Sequence, residues 1–227
     1  MMREIVCGTA IAFLVLFAGN ASAEEEKGDT QITASLKAWM NEWKHYDPAG
    51  PRRVSDNAVV LAGPAVEVEF KNRLVLEGSY LMSASDYKFT EAGVTAEFDR
   101  RDLDLGIGRL FNDYVGFFVG YRNSSFKEET TGAEDSSYGI FYSLRGTMPF
   151  IGTSSLYGNL TYLNTRLKAE GLAREDAPGW ITEIGGKMVF TEHLAMKLGY
   201  KWETAKGKTT GVKDSFRGTA LELTYAF

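Results

Sequence analysis

Apolar and polar residues alternate one by one along much of this chain. Between Thr30 and Asn41 the even positions carry Ile32, Ala34, Leu36, Ala38 and Met40, while the odd ones carry Thr33, Ser35, Lys37, Trp39 and Asn41. A two-residue period places successive side chains on opposite faces of an extended strand. The pattern returns in Leu74, Leu76, Gly78, Tyr80 and Met82 against Val75, Glu77, Ser79, Leu81 and Ser83. It returns again in Leu194, Met196, Leu198, Tyr200 and Trp202 against Ala195, Lys197, Gly199, Lys201 and Glu203. Ten such segments begin near residues 30, 58, 74, 94, 114, 136, 155, 180, 194 and 215, and no helical period competes with them.

The connectors alternate too. Four are tight: Lys71-Asn72-Arg73, Asn112-Asp113, the stretch 149–154, and Thr191-Glu192-His193. Between them fall five longer polar stretches, roughly 45–57, 84–93, 123–135, 168–179 and 205–214. This alternation predicts an all-β fold, one closed antiparallel transmembrane β-barrel of ten strands, with eight and twelve the neighbouring even counts. Short turns would be periplasmic and long loops extracellular. In hydrocarbon every backbone N–H and C=O needs a partner, so the sheet has to close. Two segments are irregular. Pro64 forfeits a ladder hydrogen bond inside the second, predicting a bulge or local distortion. Asp99-Arg100-Arg101-Asp102 interrupts the fourth and is expected to project above the membrane on the outer side.

Aromatic placement fits the same orientation. Phe70, Phe111, Phe150, Phe190 and Phe227 sit beside the short turns or the terminus, and Tyr80, Tyr121, Tyr138, Trp180 and Trp202 lie nearer the long loops. Two aromatic girdles bounding an apolar band are expected at the two lipid–water interfaces.

Residues 1–23 read differently. Arg3, an apolar stretch from Thr9 to Ala18 and the small-x-small run Ala21-Ser22-Ala23 form the pattern of a secretory signal peptide. The stretch is too short for a spanning helix, and Cys7 lies too early to be a lipoprotein cysteine. The barrel domain is therefore expected to run from residue 24 to 227. It holds no cysteine, so neither a disulfide framework nor a thiolate metal site is available. A formal charge of −5 with scattered charges offers no basic field for nucleic acid.

The closing strand, with Leu221, Leu223, Tyr225 and terminal Phe227, resembles the targeting signature of Gram-negative outer-membrane barrels. The chain as a whole is similar to the small barrels of the OmpA, OmpX, OmpW and opacity-protein type. That resemblance implies outer-membrane lipids and lipopolysaccharide as surroundings and the barrel-assembly machinery as the reader of Phe227. No family motif carries a binding or catalytic residue across.

Function then rests on the interior and the loops. Inward positions carry Glu67, Glu69, Glu77, Asp102 and Asp104 on early strands, and Arg122, Arg145, Lys187, Lys197 and Lys201 on later ones. Eight strands leave a filled interior and sixteen leave a channel, so ten should be nearly filled. Counted from the periplasmic ends, Glu67, Glu77, Arg145, Lys187, Lys197 and Glu222, with Asp104 slightly deeper, predict one charged, salt-bridged layer in the periplasmic half. The expected function is a structural barrel or narrow pore with that charged lumen. Two alternatives stand beside it. One is adhesion or ligand capture through the outer loops, where 123–135 carries Lys127 against Glu128, Glu129, Glu134 and Asp135, and 205–214 carries Lys206, Lys208 and Lys213 against Asp214. The other is a barrel-embedded hydrolase of omptin or lipid A-modifying type, which needs a histidine beside an acid or serine. Of the two histidines, His193 falls in a periplasmic turn and His45 in the first outer loop near Asp47. No cofactor is implied, and the acidic loop lacks the ligand spacing of a calcium-binding EF-hand.

Overall fold

The computed structural model describes residues 30–50, 52–91, 93–168 and 173–227. The expected signal segment and the start at Glu24 lie outside the described residues. Ten long strands make the wall: β1 (Thr30–Tyr46), β3 (Val59–Phe70), β4 (Leu74–Ser83), β6 (Val94–Leu110), β7 (Val115–Glu128), β8 (Glu134–Pro149), β9 (Ser154–Lys168), β11 (Gly179–Val189), β12 (Leu194–Lys206) and β13 (Lys213–Ala226). Three short ones, β2 (Arg53–Val54), β5 (Tyr87–Glu91) and β10 (Glu175–Asp176), pair with β1, β6 and β9 above the outer ends. Each long strand pairs antiparallel with its sequence neighbour, and β1 closes the ring on β13 from Thr33↔Ala226 to Tyr46↔Lys213.

The two-residue period does what the alternation predicts. On β1 the even side chains Ile32, Leu36 and Met40 are exposed on the outer wall, while Trp39 and Asn41 between them are buried in the lumen. Leu105, Ile107, Ile140, Leu144, Ile184, Leu198, Leu221 and Leu223 continue that apolar wall around the ring. Phe111, Phe150 and Phe190 are exposed beside the short turns, and Tyr80, Tyr121, Trp180 and Trp202 mark the opposite border.

Strands β1 and β6 each have 17 residues, whereas a tilted strand crosses hydrocarbon in about 9–11. The barrel therefore stands above its own apolar band. On β1 the outward face turns polar at Glu42 and Lys44, which marks the upper border. Here the expectation of long loops at 123–135 and 205–214 is corrected. Strands β7 and β8 run on to Glu128 and back from Glu134, so that hairpin turns at 129–133 with Gly132 at φ +75°. Likewise β12 and β13 leave only 207–212 between them. Above the lipid the outer face no longer has to be apolar, so the alternation that reveals a strand is lost while the ladder continues.

Pro64 produces a lapse rather than a bulge. Pairing between β3 and β4 stops at Ala62↔Met82 and resumes at Ala65↔Ser79 in unchanged register, while Pro64 still faces Leu36 on β1. The backbones crowd there: a Cβ on Gly63 would lie 1.9 Å from the Tyr80 carbonyl oxygen.

Candidate functional site

The lumen is filled in two storeys above an open vestibule. The uppermost storey is aromatic. Trp43 stands at its centre, with ring centroids of Phe89 and Phe126 at 4.9 Å and of Phe98 and Phe216 at 5.4 Å. Tyr87, brought in by the short strand β5, donates its hydroxyl to Asn41 Oδ1 at 2.7 Å. Trp39, Val59, Leu61 and Leu81 complete this buried cluster. Because β1 and β7 lie far apart around the ring, the Trp43–Phe126 contact shows that the rings bridge the lumen.

Directly beneath lies a charged storey that is almost wholly buried. Arg100 donates from Nε and Nη2 to the two oxygens of Asp102 at 2.9 Å, and from Nη2 to Glu203 Oε1 at 2.8 Å. Arg122 donates to Asp102 at 3.0 Å, to Glu203 Oε2 at 2.9 Å and to Asp104 at 2.8 Å. Arg100, Asp102 and Arg122 are no more than 3% exposed. Glu203 comes from β12, five places around the ten-strand ring from β6, so it reaches its arginines across the full lumen. Each charge is both paired and hydrogen-bonded, the condition under which burial of ions is tolerated. The stretch expected to project above the membrane is corrected here. Residues 99–102 continue β6, and its period turns Arg100 and Asp102 inward while Arg101 stays outside against Asp99 at 3.1 Å.

Below this the lumen opens as a cavity of about 500 Å³ reaching the short-turn end near Asp113 and Glu192. Arg145 forks onto Glu77 with contacts of 2.5 and 2.6 Å and lies 4.0 Å over the Phe118 ring. Lys197 donates to Glu222 at 3.2 Å. Glu67, Lys187 and Lys37 also line this vestibule. Two like-charge pairs face each other across neighbouring strands, Glu67↔Glu77 and Lys187↔Lys197, an arrangement that needs water or opposite charges nearby.

The lumen charges read from sequence fall at two heights. Glu67, Glu77, Arg145, Lys187, Lys197 and Glu222 surround the vestibule, whereas Asp104 and Arg122 belong to the storey above. The layer expected in the periplasmic half lies around the vestibule with Asp104 deeper, and what the sequence did not indicate is the second, buried storey above it, where the lumen is packed shut. Arg100, Glu203 and the inward aromatics were not singled out. One signal was present: Trp39 and Trp43 share the odd face of β1 with Lys37, so that face is polar below and aromatic above.

At the outer rim His45 Nδ1 lies 2.8 Å from Asp214 Oδ1, which also accepts from Trp43 Nε1 at 2.8 Å. Higher still, Glu175 accepts from the Thr209 and Thr210 amides at 2.8 and 3.0 Å and from the Thr210 hydroxyl at 2.6 Å. Burial alone would raise the pKa of this carboxyl. The three hydrogen bonds outweigh it and hold the pKa below the usual glutamate value. Among the described residues no group of three His, Cys, Asp or Glu side chains could hold a metal ion.

A ten-stranded closed antiparallel barrel with an apolar belt, short turns at one end and raised hairpins at the other is the fold of an outer-membrane β-barrel. One solved structure shares that fold. The chain is similar to the outer membrane protease OmpT from Escherichia coli, with a TM-score of 0.56 and 11% identity over 91% of this chain and 99% of that one. It also matches Neisserial surface protein A, with a TM-score of 0.43 and 11% identity over 86% of this chain and 96% of that one. A third match is the attachment invasion locus protein Ail of Yersinia pestis, with a TM-score of 0.40 and 12% identity over 88% of this chain and 100% of that one. No protein-family model and no curated protein sequence matches the chain.

Proposed function

We propose that the protein is a non-conducting structural barrel of the outer membrane, delivered by removal of residues 1–23 and acting through its rim and outer wall rather than by passage through its lumen. One observation carries the reading: Arg122 and Glu203, joined at 2.9 Å from widely separated strands, sit beneath a bridging aromatic layer. An ion entering the vestibule from the short-turn end meets a desolvated, fully paired charge network and then packed rings. The test is planar-bilayer recording of the purified mature protein alongside fractionation. The expected result is outer-membrane recovery, a heat-modifiable band on unboiled gels, and no resolved current. A reproducible ohmic step would overturn the closed-lumen reading, and recovery in the soluble periplasm would overturn the membrane reading.

The same reading is non-enzymatic. OmpT is named a protease, and His45 beside Asp214 is the pair here that could serve as a base. Yet the carboxylate is already shared with Trp43, which points to a role in fastening β1 to β13. Wild type and His45→Ala are expected to leave peptide and lipid A substrates equally intact; turnover lost on substitution would establish an enzyme. Phe227, whose amide donates to Ile32 at 2.9 Å across the closing seam, is the residue read by the assembly machinery, so deleting it should lower outer-membrane yield.

A further inference from the structure

The vestibule is shut at its upper end and open at the short-turn end, so it is a pocket although it is no passage. Its charges are sorted by side. Lys37, Glu222, Lys197 and Lys187 stand in a single cross-strand row over β1, β13, β12 and β11. Three lysines in that row share one carboxylate. Glu67 and Glu77 stand opposite each other on β3 and β4, further around the ring. Like charges placed in this way repel unless opposite charge lies close by.

Only part of that charge is answered within the chain. Arg145 takes Glu77, and Lys197 takes Glu222. Among the described residues Glu67 and Lys187 form neither a salt bridge nor a hydrogen bond, although both line the cavity and lie close enough to act on each other electrostatically. Their strands are four places apart in the ring of ten, almost on opposite walls. Ten strands about 4.8 Å apart and tilted by about 40° make a ring roughly 20 Å wide, and two inward side chains leave roughly 10 Å between their charged heads. An acid on one wall and a base on the other are thus held near but out of reach.

We propose that the vestibule binds a small zwitterion entering from the short-turn end, a free amino acid or dipeptide, with its ammonium on Glu67 and its carboxylate on Lys187. The lysine row beside Lys187 supplies the excess positive charge on the carboxylate side. Length selects the ligand. Two charge-assisted hydrogen bonds of about 2.8 Å each take up more than half of the gap. What remains, roughly 4–5 Å, suits the span from ammonium to carboxylate in an amino acid or a dipeptide, and each further residue adds about 3.5 Å. A simple anion would satisfy Lys187 but would be repelled by Glu67 and Glu222. The inference goes beyond the structural reading: the storey above stays shut, so binding requires no current and silence in a bilayer does not decide it.

The test is calorimetric titration of the purified mature protein in a nonionic detergent, with alanine and dialanine as probes. Dialanine should bind saturably. N-acetyl-dialanine and dialanine amide should each bind at least about tenfold more weakly, the scale of one charged hydrogen bond. Glu67→Gln should weaken dialanine by a similar factor yet leave N-acetyl-dialanine unchanged. Lys187→Met should weaken dialanine yet leave dialanine amide unchanged. Each substitution is matched to one end of the ligand, whereas a misfolded variant would lose every probe alike and its heat-modifiability with them; the capped peptides on wild type then decide the matter alone. Absence of saturable heat from both alanine and dialanine, equal affinity for the capped peptides, or succinate binding as tightly as dialanine would each overturn the assignment.

Discussion

The guanidinium carbon of Arg100 lies 4.0 Å from the centroid of the Phe216 ring. Through that contact one side chain joins the two storeys of the lumen: its face stacks on the aromatic layer while its nitrogens grip Asp102 and Glu203 below. Stacking leaves the guanidinium edge free for in-plane hydrogen bonds, a division of labour that lysine could not perform.

Arg100→Ala is expected to lower unfolding stability by roughly 3–5 kcal/mol, because Asp102 and Glu203 would remain buried with one arginine between them. Equilibrium urea unfolding in lipid vesicles measures it. Arg100→Leu should recover little, since the carboxylates and not the packing set the penalty. A variant indistinguishable from wild type would show that water reaches this storey.

Conductance separates the storeys. Arg145→Ala removes the fork on Glu77, but it does so inside a vestibule that is already open, so it should leave the bilayer silent. Adding Glu77→Ala to it should restore part of any lost stability, because the uncompensated carboxylate is then gone. Trp43→Ala with Phe126→Ala removes the rings that meet at 4.9 Å across the barrel. With the Arg122–Glu203 pair still spanning the lumen beneath them, loss of the rings alone should also leave the bilayer silent; intermittent current is expected once Glu203→Ala is added to that double variant, and current from Arg145→Ala would move the constriction to the vestibule.

Topology is tested at the turns. An epitope inserted after Gly132, whose positive φ marks the tip of the β7–β8 hairpin, should be tolerated and stained on intact cells. The same epitope between Asn72 and Arg73 should stain only after the outer membrane is opened. Staining of both on intact cells would reverse the assignment of turns and hairpins.

Acid should release one rim contact selectively. The Glu175 carboxyl has a lowered folded pKa, so its contribution is present above the unfolded glutamate value and is lost as pH falls through the folded one. Hydrogen-exchange protection of the Thr209 and Thr210 amides, corrected for intrinsic rate, should therefore fall on acidification below the ordinary glutamate range. Glu175→Gln should show weak protection at every pH. Constant protection through that range in wild type would refute the clip.

The sequence by itself determined the wall. A two-residue period, polar turns and paired aromatic borders are local signals, and each strand carries its own copy, so strand positions and their alternation of faces could be read without knowing which strands touch. Even the errors at 123–135 and 205–214 have a local cause, since a ladder standing above the lipid no longer needs an apolar outer face. The lumen was decided by tertiary structure. Inward direction was legible for Asp102, Asp104 and Arg122, but their partner Glu203 lies 81 residues beyond Arg122 along the chain. Which inward side chains share a height depends on the register of every hairpin added around the ring, so a small slip anywhere would change every partner. Closure of β1 on β13 sums those registers, and only that sum sets Arg100 between Phe216 and Glu203.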